Sequence, residues 1–113
     1  MIYITQLIFI QEGKEELFLE FESHAIPLME KHGGKLIYRL RPKQEDFVSG
    51  EEEKPYEIHF VSFESEEQLN QFMHDDARLN FIHLKNESVK TMLLVKGKKM
   101  LVGNLSTHFK LLF

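Results

Sequence analysis

A histidine in the middle of an apolar strand is the residue of this sequence best suited to chemistry. His59 stands in the run Tyr56 to Phe63 (YEIHFVSF), on the same side as Val61 and Phe63. An imidazole in that position is either a satisfied core group or a proton-handling group on the wall of a pocket. Gln6 is its counterpart, a lone amide on a face otherwise made of Ile2, Ile4, Ile8 and Ile10. A buried amide needs a partner, here a ligand, the C-terminal tail or a second chain. Arg39 and Arg41 share a strand face and follow Ile37 on it. Their guanidinium groups suit the anionic group of a substrate; equally they suit Glu57, the acidic connection after them, or the guarding of a sheet edge. His24 sits on the rim of a helical apolar stripe near Pro27, where a bend would open room for a small apolar ligand. Gln6, His24, Arg39 and His59 are thus the candidate ligand-binding residues, with His59 the candidate base.

Other chemistry finds little support. The histidines His24, His32, His59, His74, His83 and His108 show neither the helical i, i+4 nor the strand i, i+2 spacing of a metal pair, and the chain has no cysteine. Adjacent helical residues diverge, so His74, Asp75 and Asp76 read as solvated cap residues. No metal and no cofactor are expected. Tyr3, Tyr38 and Tyr56 read as strand packing residues with a wet hydroxyl. No phosphate loop, nucleophile elbow or Ser/His/Asp arrangement occurs.

The elements that must position these residues are clear from periodicity. Ile2 to Ile10 is a strand whose two faces are both mostly apolar, which predicts burial on both sides. Lys14 to His32 is a helix with Leu17, Phe18, Phe21, Ala25, Leu28 and Met29 on one stripe, ended by Gly33 and either bent or broken in two by Pro27. Lys35 to Arg41 is a second strand, residues 42–55 an acidic connection, and Tyr56 to Phe63 a third strand. Ser65 and Gln68 have capping-box spacing before a helix that buries Leu69, Phe72 and Met73. Asp75 or Asp76 caps a further helical stretch through Lys85, and Ser88 to Lys96 is the fourth strand.

The order is βαββαβ, which predicts a ferredoxin-like α+β fold with a four-stranded antiparallel sheet and helices on one face. A lone sheet of this kind has a polar outer face, yet the first strand has none. Something must cover that second face. The chain reads as a single domain, with a core over residues 1–96 and an extension over 97–113, in which Phe109, Leu111 and Phe113 alternate as in an added strand.

Composition narrows the class. The 42% apolar content with 10 Phe suits one globular core, and no apolar run reaches the roughly 20 residues of a membrane span. A net charge of −4 argues against a phosphate-backbone binder. The absence of a basic, apolar leader after Met1 makes a cytoplasmic location the expectation.

The stretch His24-Ala25-Ile26-Pro27-Leu28-Met29-Glu30-Lys31-His32-Gly33-Gly34-Lys35, with Arg39, resembles small uncharacterised bacterial proteins of the dimeric α/β-barrel superfamily. Phe63-Glu64-Ser65 followed by Phe72-Met73 is similar to that superfamily's third strand and second helix. The resemblance implies protomers that pair sheet to sheet as a homodimer, closing a barrel. Relatives include EthD-like proteins and cofactor-free monooxygenases of the antibiotic-biosynthesis type. Any catalysis implied by the likeness is cofactor-independent and oxygenase- or isomerase-like. No catalytic motif of those relatives falls on this sequence, and the acidic 42–55 connection, the tail and His74-Asp75-Asp76 depart from their pattern.

RNA-recognition motifs share the βαββαβ order. Here Tyr56 replaces their basic residue, Glu57 their glycine and Ile58 a stacking aromatic, so no nucleic-acid partner is expected. Two functions remain: a pocket protein that binds or transforms a small apolar metabolite, and a non-enzymatic dimerisation or interaction module.

Overall fold

The computed structural model describes residues 1–100. The element order is β1 (Ile2–Ile10), α1 (Glu15–Lys31), β2 (Gly34–Leu40), β3 (Glu57–Phe63), α2 (Glu66–Met73), α3 (Asp76–Ser88) and β4 (Val89–Gly97). The strands form one antiparallel sheet in the order β2-β3-β1-β4, the ferredoxin-like arrangement that the βαββαβ order predicts. The expected strand over Thr107 to Phe113 lies outside the described residues.

Helix α1 runs unbroken through Pro27. Pro27 and Ser23, whose carbonyl loses its partner at the proline, are both on the exposed side, where water can satisfy that group. Gly33 ends the helix at φ +76, the left-handed conformation that a glycine adopts without penalty. Ser65 caps α2 by accepting from the Gln68 amide at 3.1 Å, and Asp75 caps α3 by accepting from the Ala77 amide at 2.8 Å. His32 Nε2 lies 2.8 Å from the other oxygen of Asp75, tying the end of α1 to the start of α3. Met73, expected inside, is exposed, and the apolar stripe of α2 rests on Leu69 and Phe72 instead.

The core lies between the helices and one sheet face. Ile2, Ile4, Val61 and Phe63 of the sheet pack with Leu28, Met29 and Phe72, and Phe81 of α3 flanks them. The opposite face carries Tyr3, Phe60 and Tyr38 from adjacent strands, stacked with centroids 5.6 and 6.1 Å apart. Thus only one of the two apolar faces of β1 is covered by the described residues: Ile2, Ile4 and Ile8 are buried, while Tyr3, Thr5, Leu7 and Phe9 remain half-buried.

The face assignment in β2 needs one correction. Leu36 pairs with Val61 and Tyr38 with Phe60, so Ile37 is an extra residue in a bulge. The bulge resets the alternation. Arg39 therefore lies opposite His59 on the helix-covered face that Leu36 occupies.

Candidate functional site

The site starts from the register. Gln6 of β1 pairs with His59 of β3, and Arg39 of β2 faces the same histidine from its other side. The alternation of strands then aims Gln6, Glu57 and His59 at α1. From α1, Glu22 descends between Phe18 and Ala25 to meet them. Glu57 is fully buried, Glu22 is 4% exposed and His59 7%.

These groups form one charge cluster. His59 Nε2 is 2.5 Å from Glu57 Oε1 and 2.9 Å from Glu22 Oε2. Arg39 bridges the carboxylates, its Nε donating to Glu57 Oε1 at 2.9 Å and its Nη2 to Glu22 Oε1 at 2.7 Å. Arg41 donates to Glu57 Oε2 from Nη2 at 2.7 Å and from Nε at 3.2 Å. Both oxygens of Glu57 are thereby saturated. Glu22 Oε2 is the exception: the imidazole nitrogen is close, but its single N–H is directed to Glu57, and this buried oxygen has no hydrogen-bond partner among the described residues.

The surroundings drive the two carboxyls apart. Burial pushes the Glu57 carboxyl up, but the hydrogen bonds from His59, Arg41 and Arg39 outweigh it and hold it well below the usual carboxylate range. Burial lifts Glu22, and the negative charge of neighbouring Glu57 adds to the lift, against His59 and Arg39. Burial lowers His59, but the two carboxylates more than reverse this, so the imidazole holds its proton above its ordinary range. One ionised carboxylate, one carboxyl of raised affinity for a proton and one imidazolium in contact can pass a proton among themselves.

The cluster faces a cavity of about 390 Å³ between the sheet and the helices. Its wall is mostly apolar, with Ile4, Ile8, Phe18, Phe21, Met29 and Phe63 prominent, and Gln6, Glu22 and His59 supply polar groups. The volume lies at the small end of ligand pockets. Glu22, Glu57 and His59 also each offer a ligand atom within 4.8 Å of the others, the spacing of a metal site. Arg39 and Arg41 already hold three of the four carboxylate oxygens, so a cation would have to displace two guanidinium groups.

Of the residues singled out in the sequence, Gln6 and His59 reach the cavity wall. Gln6 donates from Nε2 to Met92 Sδ at 3.4 Å, a weak partner for an amide. Arg39 stands behind the wall, its guanidinium given to Glu57 and Glu22, which is the pairing with Glu57 that its position allowed. His24 is exposed and stacks on Phe81 at 5.2 Å, outside the cavity. Glu22 was missed. Its signal was present: a glutamate three residues before Ala25 and four after Phe18, on the opposite rim of the apolar stripe from His24.

No family model and no curated protein matches the sequence. Solved structures do match in shape. A protein of unknown function from Rhodopseudomonas palustris superposes with a TM-score of 0.78 at 14% identity, over 88% of this chain and 82% of that one. A NIPSNAP family protein of unknown function from Agrobacterium tumefaciens gives 0.66 at 17% identity, over 88% and 87%. A DABB family protein with a ferredoxin-like fold from Mesorhizobium loti gives 0.61 at 12% identity, over 88% and 96%. The class these likenesses define is the ferredoxin-like fold. They include NIPSNAP and DABB family proteins and do not single out EthD-like or antibiotic-biosynthesis monooxygenases. Among the described residues no helix is long and apolar enough to cross a membrane.

Proposed function

We propose that this protein binds a small, largely apolar molecule in the cavity beneath α1, with Glu22 as the group that exchanges a proton with it. The carrying observation is Glu22 Oε2, a buried carboxylate oxygen with no hydrogen-bond partner at an apolar wall. A polar group of a ligand would complete it. In this reading His59 is a positioning residue, since its Nε2–H is given to Glu57, and Arg39 fixes the far side of Glu22. Gln6 orients the ligand by exchanging its weak bond to Met92 for a stronger one. Desolvation by the apolar wall strengthens each of these contacts. A reaction at this site would be a proton transfer without a cofactor, of the isomerase kind.

The protein acts as a homodimer through its open sheet face. Tyr38, Leu40, Leu93 and Val95 are each more than half exposed beside the stacked Tyr3 and Phe60, an apolar area that a second sheet would cover. This face is also what the alternative, an interaction module without a ligand, would use.

Calorimetric titration with 1-octanol tests the pocket. The wild-type chain should bind it, and Ala25→Leu, which grows a side chain into the cavity, should abolish binding while the protein stays folded. No binding by the wild type would overturn the pocket. Sedimentation should give twice the 13.4 kDa chain mass, and a monomer at micromolar concentration would overturn the dimer.

A further inference from the structure

The cavity has a second set of polar groups, contributed by α3. Arg78 is only 7% exposed and lines the cavity, yet it has no carboxylate within ion-pair distance among the described residues. Its Nη1 donates to the Met73 carbonyl at 3.2 Å, at the C-terminal end of α2, and its guanidinium lies 5.5 Å from the centre of the Phe72 ring. Its Nε is buried with no hydrogen-bond partner among the described residues. Lys85, seven residues along the same helix and half-buried, lines the same cavity and likewise has no carboxylate partner among the described residues. Burial and the charge of Arg78 both lower its affinity for a proton.

The acidic group of the cavity does not offset them. Glu22 has its contacts with Arg39 at 2.7 Å and His59 at 2.9 Å, and neither Arg78 nor Lys85 comes within ion-pair distance of it. Buried Arg78 and half-buried Lys85 therefore face an apolar space with no carboxylate of the described residues within ion-pair distance. Buried charges are normally paired, because an unpaired one keeps its full desolvation penalty. The other two arginines, Arg39 and Arg41, both reach carboxylates at 2.7 Å. Arg78, the most buried of the three, is the one that reaches none among the described residues.

We infer that the ligand is an amphipathic monoanion, an apolar body ending in a carboxylate, whose oxygens take Nε of Arg78 and the ammonium group of Lys85. A guanidinium edge receives a carboxylate through two parallel bonds, and the apolar wall between α1 and the sheet receives the chain. The apolar body of such a ligand then lies along the wall that also carries Glu22 and Gln6. The cavity thus combines an anion anchor on α3 with a proton-exchanging carboxyl on α1. This inference rests on the pocket reading above and adds the charge and polarity of what enters it.

The test compares octanoate with 1-octanol, which share one apolar chain and differ in the head group. Calorimetry on the full chain should give octanoate at least about tenfold tighter binding, as expected for a desolvated charge-assisted pair. Arg78→Met should remove that preference and keep octanol binding, and Arg78→Lys should restore part of it. Lys85→Met should weaken octanoate several-fold, which preserves the test should the Arg78 variants fail to fold. Equal binding of the two probes by the wild type, or a preference that survives Arg78→Met, would overturn the anion anchor while leaving the pocket. If neither probe binds, the pocket itself falls and the anchor with it.

Discussion

Glu57 and Arg78 are both buried charges, and their surroundings could hardly differ more. Glu57 receives two guanidinium groups and an imidazole, so every lone pair that burial stripped of water is returned by a donor. Arg78 receives a helix-terminal carbonyl and an aromatic face, and part of its guanidinium receives nothing. A completed network belongs to folding. An uncompleted one at a cavity wall points outward, to a molecule that is not part of the chain.

That contrast can be broken first at Glu57. Glu57→Gln strips the centre from a buried cluster and leaves His59 and two arginines facing one another. Because Arg39 and Arg41 are almost half exposed and can regain water, the expected loss is about 3 kcal/mol, at the lower end for a broken buried pair. Urea unfolding at neutral pH measures it. A loss below about 1 kcal/mol would mean the cluster is not a unit of folding.

The same cluster sets a pH dependence with two limbs. Glu57 has a lowered affinity for a proton, so its contribution is present above the ordinary glutamate value of 4.5 and is lost as pH falls below it. His59 has a raised one, so its contribution is complete below 6.5 and is lost as pH rises through the higher folded-state value. Glu22, also raised, acts in the direction of His59: folding favours its protonated form, and that gain is lost as pH climbs from 4.5. The thermal midpoint should therefore decline on both sides, and His59→Gln should flatten the alkaline limb above pH 6.5. An unaltered limb in that variant would assign the decline elsewhere.

Smaller effects sharpen the other half of the comparison. Ser65→Ala removes the cap of α2, the helix whose last carbonyl and Phe72 ring support Arg78, and should cost about 1 kcal/mol by urea unfolding. Arg78→Met should change stability least, by under about 1 kcal/mol, because an apolar side chain replaces a charge that folding leaves uncompensated. A loss as large as that of Glu57→Gln would show that Arg78 serves the fold and not a ligand.

Much of this was readable from residue order, and the failures are instructive. Alternation in Ile2 to Ile10 and Tyr56 to Phe63 put Gln6 and His59 on the inner face, because a strand face is fixed by counting in twos. The count fails in β2, where one extra residue at Ile37 exchanges the faces of everything after it, and nothing in Leu-Ile-Tyr-Arg announces the bulge. The helix posed a different problem. Its apolar stripe has Glu22 on one rim and His24 on the other, and periodicity does not say which rim rolls inward. Packing decided for Glu22, because Arg39 and His59 offered it partners, while His24 found only the ring of Phe81. Arg78 was invisible for a third reason: a basic residue in a helix with little amphipathic pattern looks solvated until tertiary contacts bury it.

Where a small molecule enters the protein decides between a ligand pocket and an interaction module. Adding octanoate to the isotopically labelled protein and following backbone and side-chain resonances tests this directly. The expected result is shifts at Gln6, Phe21, Glu22 and Arg78, around the cavity beneath α1. Shifts confined to Tyr3, Phe60 and Val95 on the open sheet face, or none at all, would contradict it.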